Sequence, residues 1–263
     1  MTVTYRIQHN MPAVMRAVEQ DAQQAKFATV VAMNKALAWA ETDVRRDMRK
    51  TFDRPTAFFL RSLRSVRASW RAPKPEAVLW FKGSEADASD VQSGGEAMVV
   101  PHIHGGTRKR KPMEQRLIRA GLMPATYYSV PGAGADLDGH GNMSRGQVTQ
   151  LLNVLGTYRE AGYNKANAKT VERLKKGNAK KGIYGFEYWV NPVAGRRAQH
   201  LPPGVYKRFQ TAFGTSLKPI LIFVSRANYR RRFDFFGIAE KSFTKHFPGE
   251  FDRAFEQALR TAR

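Results

Sequence analysis

The chain has 263 residues, 42% of them hydrophobic, enough to bury a core without staples, and no cysteine, which excludes disulfides, thiolate nucleophiles and cysteine-ligated zinc. Its 44 basic residues against 22 acidic ones leave a net charge of +22, which calls for a polyanion, an acidic protein or salt to screen it. No segment of signal-peptide character opens the sequence and no run of about 18 apolar residues occurs in it, so a soluble chain without a membrane span is expected.

From Pro12 to about Lys50 the composition (Ala, Gln, Met, Lys) predicts one or two helices. Phe27, Val30, Val31, Asn34, Leu37, Ala38 and Glu41 step by three or four and form a stripe that must face something, while alanines 28, 32, 36, 38 and 40 permit close helix packing. Asp53 before Arg54-Pro55 ends this helix, and Pro55-Thr56 opens a short second one. SVRASWRAPKPEAVLWFKG reads as a β-hairpin with Val66, Ala68 and Trp70 on one side and APKP as the turn. AMVVPHIHGG reads as a strand ending at the GG turn, and PMEQRLIRAGL as an amphipathic helix with Pro112 in its first turn and Gly121 at its end.

The middle of the chain changes character. GAGADLDGHGNMSRGQVTQLL matches most of a calcium-loop pattern from Asp136, but position 12 is the neutral Gln147, position 5 is His140, and SVPGAGA cannot be an entering helix. The better reading makes Asp136 and Asp138 turn residues, gives Gly139 and Gly141 positive φ, and lets Asn142 or Ser144 cap the helix that follows, over SRGQVTQLLNVLGTYREAG. The lysine-rich segment Asn164 to Lys181 has the composition of a mobile arm. GIYGFEYWV, GVYKRF and LKPILIFVSRANY read as strands, the last central in its sheet. Phe247, Phe251, Phe255 and Leu259 mark a terminal helix, which Pro248 separates from a shorter one. The order of elements predicts an α+β fold: an antiparallel sheet packed with N-terminal and C-terminal helices, with core segments 1–130 and 202–263 and a helical and loop insertion over 131–201.

Chemical signatures are sparse. His102 and His104 would share one side of a strand, but His9, His140, His200 and His246 offer no third zinc ligand that spacing can identify. Asp136 and Asp138 are the one close acidic pair in the middle of the chain, too little for two-metal phosphodiester chemistry. The best phosphate or acidic-partner contact is Arg108, Lys109, Arg110 and Lys111, placed directly before a helix N-terminus. EYWV and NYRRRF interleave aromatics with charge, as single-strand binders and ordinary half-buried strands both do.

In plan, the small-residue helix around AMNKALAWA, the basic hairpin, HGGTRKRKPMEQRLIRAGLMP, the LDGHGN turn and the closing strand-helix unit resemble minor tail or neck proteins of tailed bacteriophages, in the manner of the lambda minor tail protein Z and tail-completion group. The chain departs from the shorter members by an insertion from about Gly132 to Leu201. The resemblance implies a structural virion protein of the head-tail junction or tail, assembled in the bacterial cytoplasm as a homo-oligomeric ring. It implies contacts with connector and tail proteins and with packaged DNA, and neither catalysis, metal nor cofactor. The alternative that the charge itself suggests is a sequence-independent nucleic-acid-binding protein.

Overall fold

The structure is a computed structural model that describes residues 11–82, 95–157, 166, 168–178, 183–195, 200–211 and 214–261. In chain order the elements are α1 (Met11–Thr51), α2 (Ala57–Leu60), β1 (Leu63–Val66), β2 (Val78–Phe81), α3 (Gly95–His104), β3 (Gly106–Thr107), α4 (Pro112–Arg119), β4 (Tyr128–Pro131), α5 (Arg145–Val154), α6 (Ala168–Lys176), β5 (Gly177–Asn178), β6 (Ile183–Tyr184), β7 (Phe186–Asn191), β8 (Gly204–Thr211), β9 (Gly214–Val224), β10 (Asn228–Tyr229) and α7 (Phe235–Thr261). The fold is α+β, with every strand pair antiparallel. Two compact units divide it: Met1–Val99 with Arg231–Arg263, and Val100–Arg230. The segment 131–201, expected as the insertion, lies inside the second unit.

In the first unit α1 runs unbroken for 41 residues, about 60 Å at 1.5 Å per residue. Two of its threonines return their hydroxyls to carbonyls one turn back, Thr29 to Ala25 and Thr42 to Ala38, so neither competes with the helix ladder. One face of α1 is a ridge at every fourth residue, Ala28, Ala32, Ala36, Ala40, Val44 and Met48, all buried. It packs against α7. Ala38, counted with these alanines on sequence, is exposed, because it lies about 160° around the helix from Ala36 and Ala40. Between the two helices Lys35 pairs with Glu250 at 3.3 Å, Trp39 stacks on His246, and Asp43 accepts from the Ser242 hydroxyl at 2.7 Å. Each step of four along α1 is a step of four backward along α7, which fixes an antiparallel register.

A second face of α1 carries the hairpin. Asn34 donates to the carbonyl of Ala68 and accepts from its N–H, and Glu41 accepts from Ser65. Leu63 and Phe81, direct partners across β1 and β2, are buried. The hairpin is shorter than expected: its strands stop at Val66, and beyond it Ala68 is buried while Val66 and Trp70 face solvent. Phe233, wholly enclosed, gathers Phe52, Phe81 and Phe235 around it. The turn after α1 forms where expected, with Arg54 at φ 44 and Thr56 capping α2 through Phe59 N–H.

Two expectations about helices are corrected. Pro248 does not split the C-terminal segment. α7 continues through it from Phe235 to Thr261, with Pro248 on the exposed side and the opposite face held against α1. Proline costs an interior helix about 3 kcal/mol, which packing along 27 residues outweighs. AMVVPHIHGG is the helix α3, not a strand; a short apolar run carries no decisive periodicity, and Pro101 is as ill-suited to a central strand as to a helix.

The second unit holds a four-stranded sheet in the order β4-β9-β8-β7, so β9 is central as expected. Val205, Ile220, Leu221 and Phe223 from the sheet close on Leu117 of α4, Met123, and Leu151 and Leu152 of α5. Gly121, at φ 71, ends α4 in a conformation that a side chain would strain. Of the expected arm, Ala168–Lys176 is the helix α6 against β7, and residues 164, 165, 167 and 179–182 lie outside the described set. The helix expected over 144–162 is shorter: α5 ends at Val154, with Leu155 as its cap and Gly156 at φ 66, and residues 158–162 lie outside the described set.

Enlarging a ridge alanine tests the α1–α7 pairing. Ala32→Leu is expected to lower stability by about 1–3 kcal/mol through overpacking, whereas Ala38→Leu on the solvent side leaves it unchanged. Urea midpoints of the two variants measure the difference.

Candidate interaction site

The basic run Thr107 to Lys111 connects β3 to α4, and it is built around an acid that sequence reading passed over. Glu114 stands at the third position of α4 and is fully buried. The Arg108 guanidinium grips its carboxylate with two bonds, of 2.8 and 2.6 Å. The same carboxylate accepts from the backbone N–H of Lys111 and of Ser129, each at 2.7 Å, and from the Ser129 hydroxyl at 3.1 Å. Arg108 donates again to the Ser129 carbonyl at 3.1 Å and lies over the Tyr128 ring at 5.1 Å. Arg110 lies 5.0 Å from that ring's centre and donates to the Ala125 carbonyl. Lys109 and Lys111 expose their side chains.

The helix N-terminus offered to phosphate is therefore occupied by the chain's own anion. Of the four candidate cations, Arg108 serves the buried pair, Arg110 is tied to β4 and the loop before it, and Lys109 and Lys111 remain at the surface. A signal for Glu114 was present: an acid three residues after the residue that caps a helix returns to cap it. Burial pushes the Glu114 carboxyl up, but the bonds from Arg108, Ser129 and Lys111 outweigh burial and bring it down to about 2.

The glycine-rich turn is an elbow, as expected. Asp138 accepts from the N–H groups of His140 and Asn142, both at 2.9 Å, and the Asn142 bond foremost holds its carboxyl below the ordinary range. Leu137 bridges Met143, Gly141 takes φ 79, and Ser144 caps α5 by accepting from Gln147 N–H. Gly139 does not take positive φ. Gln147, where a calcium loop needs its chelating acid, is buried and accepts from Asp136 N–H at 2.9 Å. His102 and His104 do not share a side: two residues apart on α3 they lie about 160° apart, His102 buried edge-on to Tyr229 and His104 exposed. His140 and His200 are exposed, His246 stacks on Trp39, and His9 lies outside the described residues. EYWV and NYRRRF are partly internal. Glu187 holds Lys175 and Arg208, Trp189 leans on Tyr206, and Arg232 lies over Phe52. Among the described residues no three His, Asp or Glu side chains stand close enough to hold a metal ion, and no helix is long and apolar enough to cross a membrane.

The first unit presents a surface of a different kind. Val66 and Val78 are direct partners on the hairpin, yet 51% and 39% exposed, so one side of this two-stranded sheet is uncovered. Trp70 is 55% exposed, and beside it Phe27, Lys26 and Arg71 line a depression of about 630 Å³. Arg61, Arg64, Arg67, Arg71 and Lys74 all reach solvent, and no acid occurs from Arg61 until Glu76.

Fold and surfaces together define an α+β protein of two units with an exposed apolar and cationic surface on the first. Compared with protein-family models, curated proteins and solved structures, the chain matches none.

Glu114 generates a pH prediction. Its folded pKa lies below the ordinary value of 4.5, so the stability it contributes is complete above that value and is lost as pH falls toward 2. The shift corresponds to about 3 kcal/mol. Glu114→Gln is expected to destabilise the second unit by about 3–5 kcal/mol at neutral pH, because Arg108 keeps its charge without a carboxylate, and to flatten stability between pH ~4.5 and ~2. Urea titrations across that range measure both effects.

Proposed function

We propose that this chain is a structural component of a tailed-phage virion, of the neck or tail-completion type, working through subunit interfaces without catalysis, metal or cofactor. The observation that carries the reading is the uncovered hairpin side, where Val66 and Val78 face solvent beside Trp70. A contiguous apolar surface rimmed by charge marks a protein contact. A two-stranded sheet exposed on one side gains most by packing against another surface.

The chemistry of the rim describes the partner. Five cations between Arg61 and Lys74 suit an acidic, partly apolar surface on a connector or tail protein, or on the next copy of this chain in a ring. The antiparallel α1–α7 pair provides a stiff support for that hairpin, and the resemblance in plan to tail-completion proteins agrees with such a role. Packaged DNA is a second surface against which the net charge of +22 would lower repulsion.

The particle decides the matter. Cryo-electron microscopy is expected to place copies of this chain around the tail axis at the neck or tail end, and its absence from particles would sink the reading. Val66→Lys with Val78→Glu, opposite charges across the two strands, is expected to block joining of tails while shifting folding stability by about 1 kcal/mol or less, since both side chains are already in solvent. Denaturation of the variant chain and counts of tailed particles measure the two sides of that prediction.

A further inference from the structure

The sheet of the second unit places two lysines side by side with no carboxylate between them. Lys207 on β8 and Lys218 on β9 are register partners, so they share one sheet face with Cβ atoms about 5 Å apart, where like charges repel. Among the described residues neither ammonium meets a carboxylate. The nearest acid in the register, Glu187, alternates to the other face, where Lys175 and Arg208 both hold it.

The next pair along the lysine face is aromatic. Phe186 and Phe209 are cross-strand partners, both half-buried. Lys207 Nζ stands 3.9 Å from the centre of the Phe186 ring, and Lys218 Nζ 5.5 Å from that of Phe209. A depression of about 370 Å³ opens beside the rings on the side of Glu187 and Arg208, lined also by Lys175, Gly185, Gln210 and Thr215 and not by the two lysines. Lys207 and Lys218 on one face, and Lys175 and Arg208 about Glu187 on the other, thus flank two phenylalanines at the end of a sheet whose inner part, at Val205 and Leu221, is core.

We propose that this end of the sheet binds a nucleic-acid strand, with a phosphate between Lys207 and Lys218 and a base against Phe209 and Phe186. An anion placed between the two ammonium groups turns their repulsion into two attractions. A base on a phenylalanine face replaces the contact that the lysine gives up, and it stacks without regard to sequence. An acidic peptide satisfies the lysines but leaves the rings unused, which is why a nucleic acid is the better occupant. The inference stands on this sheet end alone and not on the assembly role.

The experiment uses the full chain and a fluorescent oligothymidylate of ~15 nucleotides, titrated over a range of salt concentrations. The variant K207Q/K218Q is expected to bind at least about tenfold more weakly and to lower the log–log salt slope by about 0.7, the share of one phosphate on a single strand. Phe209→Leu, which keeps an apolar side chain, is expected to weaken binding about fivefold or more with the slope unchanged. K50Q/K241Q, which removes two exposed cations of the first unit, serves as the control and is expected to change affinity little. Equal losses in the two double variants would mean that the whole basic surface binds, and would overturn the site. Competition by polyglutamate of matched charge as effective as by unlabelled oligonucleotide would also overturn it, in favour of an acidic protein surface. Melting of K207Q/K218Q at or above the unmodified chain is expected from relief of the lysine repulsion; a clear drop would make the pair structural and end the proposal.

Discussion

A ridge of small side chains holds the first unit together. Alanine at every fourth position of α1, continued by Val44 and Met48, leaves room for α7 to approach closely, and the Lys35–Glu250, Trp39–His246 and Asp43–Ser242 pairs lock one register out of several that the alanines alone would accept. Dispersion across such a close approach is collectively large, and it is lost if either helix slides. The hairpin depends on it in turn, because Asn34 and Glu41 present themselves to the hairpin only while α1 stays straight and helical over that stretch.

The acidic residues are few, and the fold spends them internally. Glu114 neutralises Arg108, Glu187 is shared by Lys175 and Arg208, Glu250 by Lys35 and Arg253, and Glu41 meets Arg45. Carboxylates that accept two cations do not offset the remaining ones. The net charge of +22 favours fast, salt-sensitive encounter with anything acidic.

Elements with strong local signals were legible in the sequence. Pro112 and Gly121 bracket α4, Ser144 caps α5, and the apolar run of LKPILIFV takes the central strand. What was lost shares a physical cause, since tertiary packing overrides local preference. Pro248 sits inside α7 because a partner helix holds the turns on both sides, and AMVVPHIHGG is too short for its period to separate strand from helix. The TRKRK run was visible as charge, but its meaning lay in Glu114, whose burial brings it against Arg108, Lys111 and a serine on another strand. The Lys207–Lys218 pairing was illegible for a related reason: residues eleven apart become neighbours only through the register counted back from Thr211 opposite Gly214.

The shortest strands have the widest consequence. β3 pairs with β10, Thr107 opposite Asn228 and Gly106 opposite Tyr229, so the backbone enters the second unit and leaves it at adjacent positions, about 5 Å apart. With entry and exit clasped in this way, everything between them amounts to a closed loop whose length is immaterial to the chain on either side. Such a cassette can be enlarged, trimmed or exchanged over evolutionary time while the residues outside the clasp keep their sequence and their partners. Variation among related chains would then concentrate inside it, and the segments that flank the clasp would form the steadier frame.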